Sequence, residues 1–226
     1  MIDFSLYVIL DEKYICSNLS NIVAEVCSGG ATVIQLREKT NSTCGFIRDA
    51  KLVRKITLTY NIPFIINDRV DIALAVNSDG IHLGQTDMPL KDAKKIFNGI
   101  MGKSVSNVEE AIAAEQEGAT YIGVGCLFPS PTKPKSTICL STITEIKKVV
   151  KIPVLGIGGI TLDRVKDVIY AGVDGICVAS DIFNYPDIKA RTREFRAKIQ
   201  VEANPSRPVP CRERKSRLGG ETIEKC

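Results

Sequence analysis

A compact (β/α)8 TIM barrel is the fold that residues 1–200 predict, on three observations. Short apolar runs alternate with segments of helical period without a break. The junctions between them repeat one pattern, a glycine or small residue, a polar step and then an apolar run. Polar residues collect after the runs rather than before them. Eight such units in succession give a closed parallel barrel more readily than an open doubly wound sheet, which is the alternative architecture.

Taken in order, the strand-like runs are "SLYVIL" (5–10), "TVIQLR" (32–37), "FIIN" (64–67) and "GIHLG" (80–84), then "MGKSVS" (101–106), "YIGVG" (121–125), "VLGIG" (154–158) and "GICVAS" (175–180). They are the short, nearly continuous apolar stretches expected of strands covered on both faces. Helices are predicted near 19–28, 43–60, 69–76, 89–97, 107–117, 139–150, 161–171 and 187–200. Ser42, Asn107 and Ser141 or Thr142 are the expected N-caps, and Thr161 precedes the helical "LDRVKDVI". "CSGGATVIQL", "AVNSDGIHLG", "EQEGATYIGVG" and "YAGVDGICVAS" share the junction grammar, with glycine or a small residue closing one helix before the next strand.

Residues 201–226, "VEANPSRPVPCRERKSRLGGETIEKC", hold three prolines, six basic and four acidic residues and almost no apolar period. Such a segment buries too little surface to offset its ordering entropy, so a disordered basic tail is expected after a single catalytic domain.

The totals exclude several function classes. A net charge of +4, from 30 basic and 26 acidic residues, is too mild and too well mixed for a nucleic-acid partner. No apolar run reaches the roughly 18 residues of a membrane span, and the acidic start "MIDFSLYVILDEKY" lacks the basic flank of a signal peptide. Cytoplasmic residence, with no membrane partner, is the expectation. Eight cysteines show no CxxC pair, and a single histidine leaves no zinc-type spacing. They read as small semi-apolar residues in a reducing compartment.

In a barrel of this kind, chemistry sits at the C-terminal ends of the strands. After the second run come Gln35, Arg37 and Lys39, alternating with apolar residues so that all three share a face. The third run ends in Asn67 and Asp68, the fourth leads to Asp87, and the fifth offers Ser104. Two carboxylates, Asp68 and Asp87, suit Mg²⁺, which keeps several waters and takes one or two carboxylates plus substrate phosphates. Read singly, each aspartate would instead cap the helix that follows it.

The loop "SPTKPKS" (130–136) sets hydroxyls beside a lysine, a composition suited to phosphate or diphosphate. "GIGGIT" and "VASD", after the last two runs, carry the small residues that let backbone N–H groups approach a phosphate monoester. His82, flanked by Ile81 and Leu83, reads as a hydrogen-bonded core residue rather than a general base.

With these residues in view, the chain resembles the thiamine phosphate synthase family over residues 5–200. The resemblance rests on four motifs in order: "VIQLREK", "FIINDRVDIALAVNSDGIHLGQTD", "YIGVGCLFPSPTKP" and "VLGIGGIT…AGVDGICVAS". It implies a transferase that joins 4-amino-2-methyl-5-(hydroxymethyl)pyrimidine diphosphate to 4-methyl-5-(hydroxyethyl)thiazole phosphate and releases pyrophosphate. It further implies a pyrimidine diphosphate site on Gln35, Leu36, Arg37, Glu38 and Lys39, together with Asn67, Ser104 and Lys133. Mg²⁺ would be held by Asp68 and Asp87. The thiazole phosphate would be bound by Ser130, Pro131, Thr132 and Gly159, with the backbone of Ala179 and Ser180. Arg37, Lys39, Ser104 and Lys133 would be the catalytic set. A larger aliphatic residue is usual in the family where Ala179 stands, threonine is frequent at Ser130, and a histidine is frequent near Ser106. A thiazole tautomerase and a catalytically silent phosphate-binding barrel are the rival readings. The oligomeric state is not legible.

Overall fold

The computed structural model describes residues 2–15, 18–129 and 137–204. Its eight strands are β1 (Leu6–Asp11), β2 (Val33–Arg37), β3 (Phe64–Asn67), β4 (Gly80–Leu83), β5 (Ile100–Val105), β6 (Tyr121–Val124), β7 (Val154–Ile157) and β8 (Gly175–Val178). Each pairs in parallel with its sequence neighbours, and β8 pairs with β1 through Leu6↔Ile176 to Val8↔Val178, so the sheet closes into the predicted barrel.

Helices pack outside: α1 (Leu19–Gly29), α2 (Thr43–Thr59), α3 (Val70–Ala75), α4 (Leu90–Ile96), α5 (Val108–Gln116), α6 (Leu140–Val149) and α7 (Val165–Tyr170). After β8 come a single turn, α8 (Ser180–Phe183), and the longer α9 (Ile188–Glu202).

Two apolar layers follow from strand alternation. One side of each strand meets the helices, as with Leu6, Val8, Ile34 and Ile66 packed against Val23, Phe46 and Val53. Here α2 contributes Phe46, Ala50, Val53 and Thr57, a spacing that keeps one helical face on the sheet. The other side fills the barrel with a smaller cluster that includes Tyr7, Val33, Ile65, Tyr121, Leu155 and Cys177.

Helix starts agree with expectation at Ser42, whose Oγ accepts from Gly45 N at 3.1 Å, and at Asn107, whose Oδ1 accepts from Glu110 N at 2.8 Å. They disagree at the sixth helix. Ser141 and Thr142 lie inside its first turn, and Cys139 takes the cap position without a side-chain bond. The chain is committed earlier because Ile138 N donates to Cys126 O (2.8 Å), fixing its entry. Thr161 begins a 3-10 turn, Leu162–Arg164, and its hydroxyl bonds Asp163 rather than the backbone.

The junction grammar holds in a varied form. Gly30, Gly118 and Gly172 have φ of 106°, 93° and 99°, while Asn77 takes the same left-handed role in "AVNSDG". The tail boundary needs correction. Val201 and Glu202 belong to α9, and Glu202 is buried (4% exposed) and paired with Lys198. Residues 205–226, the remainder of the expected tail, lie outside the described residues.

Candidate active site

The strand C-termini open into a cavity of about 490 Å³. Gln35, Arg37, Lys39, Asn67, Asp68 and Asp87 all line it, as do Ser104, Gly159, Ala179 and Ser180. Leu36 and Glu38 do not. Alternation turns Leu36 outward into the layer beneath the helices (1% exposed), and Glu38 bonds Asn41 Nδ2 at 2.8 Å away from the cavity wall. Ser130, Pro131, Thr132 and Lys133 lie outside the described residues.

The cationic face of β2 is anchored from β1. Arg37 Nη1 pairs with Asp11 Oδ2 at 2.6 Å, an aspartate only 4% exposed. Glu12 accepts the backbone N–H groups of Lys39 (2.8 Å) and Thr40 (2.9 Å), which holds the turn after β2 and presents Lys39 to the mouth. There the Lys39 ammonium bonds the Asp68 carboxylate.

Neither aspartate caps a helix. Arg69 and Pro89 occupy the cap positions of α3 and α4 without side-chain capping bonds. Asp68, at φ 62°, turns into the cavity beside Asp87. Burial pushes the Asp68 carboxyl up, and the neighbouring Asp87 adds to this against the pull of Lys39. Burial opposes ionisation of Asp87 too. Hydrogen bonds from the Asp68 carboxyl and from Gly84 N (2.6 Å) nonetheless hold its carboxylate below the usual range.

Two crowded hard-oxygen donors beside cations suit a divalent ion that completes its shell with water and ligand phosphate oxygens. They are too few for a closed protein cage, and among the described residues no group of three or more His, Cys, Asp or Glu could hold a metal.

Deeper in, Asn67 is 6% exposed, and its Nδ2 is the one buried side-chain nitrogen or oxygen without a hydrogen-bond partner among the described residues. Buried polar atoms are nearly always paired, so this nitrogen stands out as a donor that a ligand acceptor could satisfy. Gln35 Nε2 donates to Tyr7 Oη (2.7 Å), and Ser104 Oγ meets His82 Nε2 (2.9 Å). His82 is buried, and its Nδ1 meets Tyr121 Oη at 3.0 Å.

Across the mouth, Arg164 Nη1 donates to Gly159 O (2.7 Å) and its guanidinium lies 4.7 Å over the Phe128 ring. Gly159, at φ 62°, sits so close to Phe128 O and Pro129 O that a Cβ there would lie 2.6 and 2.7 Å from them. Sequence reasoning did not single out Asp11, Tyr7 or Tyr121. Only the register brings them to the site.

A parallel barrel with a carboxylate pair, cations and an orphan amide in a cavity at its C-terminal mouth has the architecture of a TIM-barrel enzyme. A family model described as thiamine monophosphate synthase matches residues 6–182. The chain is 46% identical over 196 residues to a thiamine-phosphate synthase of Clostridium acetobutylicum, covering 85% of this chain and 93% of that protein. A Methanobrevibacter smithii protein of the same description is 42% identical over 204 residues, covering 87% and 98%. A solved thiamine phosphate pyrophosphorylase from Pyrococcus furiosus superposes with a TM-score of 0.83 at 39% identity, covering 90% of this chain and 98% of that one. An N-acetylmannosamine-6-phosphate 2-epimerase from Clostridium perfringens (TM-score 0.62, 18% identity, 88% and 93% covered) shares the fold alone. The chain belongs to the thiamine-phosphate synthase family of transferases.

Proposed function

We propose that this enzyme joins 4-amino-2-methyl-5-(hydroxymethyl)pyrimidine diphosphate to 4-methyl-5-(hydroxyethyl)thiazole phosphate, giving thiamine phosphate and pyrophosphate. The observation that carries the reading is the orphan Asn67 Nδ2, a buried donor lacking an acceptor among the described residues, in the same cavity as the Lys39–Asp68–Asp87 cluster. A heteroaromatic ring nitrogen and a diphosphate on one substrate satisfy both features.

The chemistry is dissociative. The pyrimidine's methylene C–O bond breaks, its electron pair leaves on diphosphate, and the electron-rich aminopyrimidine stabilises the cation. The thiazole nitrogen then forms the new C–N bond with its own lone pair, so no strong base is required.

Gln35 and Asn67 hold the pyrimidine by its ring nitrogens and amino group. Arg37, Lys39 and, from the loop outside the described residues, Lys133 neutralise the leaving group, with Ser104 donating a hydrogen bond. Asp68 and Asp87 would hold Mg²⁺, which supplies Lewis-acid stabilisation of the departing diphosphate. Gly159 and the backbone of Ala179 and Ser180, with Ser130, Pro131 and Thr132, receive the thiazole phosphate.

The test is product formation by the purified chain with each substrate omitted in turn, with Mg²⁺ and with chelator. Thiamine phosphate that requires both substrates and the metal is the expected result. Binding of thiazole phosphate without coupling would replace this reading with a tautomerase or a silent binding barrel.

A further inference from the structure

Five side chains form one continuous hydrogen-bonded line through the barrel. Gln35 Nε2 donates to Tyr7 Oη (2.7 Å), Tyr7 Oη meets Tyr121 Oη (2.9 Å), Tyr121 Oη meets His82 Nδ1 (3.0 Å), and His82 Nε2 meets Ser104 Oγ (2.9 Å). The ends, Gln35 and Ser104, open on the cavity, while Tyr7 and Tyr121 are 1% and 0% exposed. The sequence makes room for it at Gly102, where a Cβ would strike the Tyr121 ring and come within 2.5 Å of His82 Nδ1.

Starting from the Gln35 N–H donated to Tyr7, proton counting fixes the direction of the line. Each phenol has one proton, and burial pushes both phenols far above their ordinary pKa, so neither ionises. Tyr7 accepts from Gln35, so its own proton goes to Tyr121. The Tyr121 proton then goes to His82 Nδ1, which must be bare. A neutral imidazole carries its proton on Nε2 and gives it to Ser104, whose hydroxyl proton is left for the cavity. Reversing one inner link alone strands a hydroxyl proton in a dry interior.

We propose that this line sets the donor–acceptor pattern with which Gln35 and Ser104 meet the substrate, making Tyr7, Tyr121 and His82 positioning residues for selection of a 4-aminopyrimidine. The inference rests on the coupling reaction proposed above. With one N–H committed to Tyr7, Gln35 keeps its carbonyl oxygen and the other N–H for the ligand. That pair complements an amino group beside a bare ring nitrogen. A 4-oxo pyrimidine offers the mirror pattern, an oxygen beside a ring N–H, and would need the amide turned over. Turning the amide over requires every proton along the line to reverse.

Two measurements test this. His82 is the only histidine, so its imidazole nitrogens can be assigned by ¹⁵N NMR of the untagged full chain without substrate. A neutral ring protonated at Nε2 is expected; a proton at Nδ1, or a cationic ring at neutral pH, overturns the proposal. The second measurement compares kcat/KM for the 4-amino and 4-oxo pyrimidine diphosphates, with Mg²⁺, in wild type, Tyr7→Phe, Tyr121→Phe and the double variant. Either single change should cut the preference for the amino substrate about tenfold, and the double should cut it no further, because one line is broken once. A preference unchanged in both singles, with kcat/KM lowered equally for both substrates, would reduce the tyrosines to packing. Either single variant suffices if the other does not fold. A wild type that couples neither pyrimidine would defeat the proposed function, whereas the NMR result judges the hydrogen-bonded line without turnover.

Discussion

Asn67 and Lys39 face the same cavity with opposite needs, and their substitutions should separate cleanly. Asn67 Nδ2 has no partner among the described residues, so Asn67→Ala removes no hydrogen bond to them at that nitrogen. Its melting temperature should move little, while KM for the pyrimidine diphosphate rises about tenfold, near 1.4 kcal/mol. Steady-state kinetics beside a thermal melt checks both halves. In the proposed reaction Lys39 meets developing negative charge instead, so Lys39→Ala should lower kcat about a hundredfold, or roughly 3 kcal/mol, with Mg²⁺ saturating. Near wild-type turnover would remove Lys39 from the leaving-group site. These two residues were legible because a polar side chain after an apolar strand has few structural uses. Tyr7 and Tyr121 were not, because their meaning is a hydroxyl contact across 114 positions of sequence. Leu36 and Glu38 were implied by the resemblance as part of one run, but neither lines the cavity, since alternation turns a strand neighbour to the opposite face.

At the scale of elements, the strands and long helices were readable because apolar period and end signals agree. The single turn α8 was not, being too short to show a period. The start of α6 was misplaced because a tertiary hydrogen bond, not a capping side chain, sets it. The step β4–β5–β6 depends on an unfilled position, since the Cβ of Gly102→Ala would drive into Tyr121 and His82. This change should destabilise the barrel by about 1–3 kcal/mol, read as a lower urea midpoint. An unchanged midpoint would mean that the interior can spread at no cost. The last helix offers a second check. Ending the chain after Asn204 should leave the melt and turnover alone, whereas ending it after Gln200 removes the buried Glu202 and should cost about 1–2 kcal/mol.

For the whole molecule, pairing of β1 with β8 and packing of α1 against α9 bring the two ends of the folded chain together. Arg196 of α9 bonds Asp3 and Ser5, just before the first strand, at the strand N-terminal end and away from the mouth. The barrel is therefore a ring whose point of opening is a matter of gene order rather than of mechanics. Joining residue 3 to residue 204 through a short flexible bridge and cutting the chain in an exposed loop elsewhere should yield a circular permutant with the same cavity. Cargo or a solid support attached at residue 3 would hang from the floor of the barrel, leaving the mouth clear.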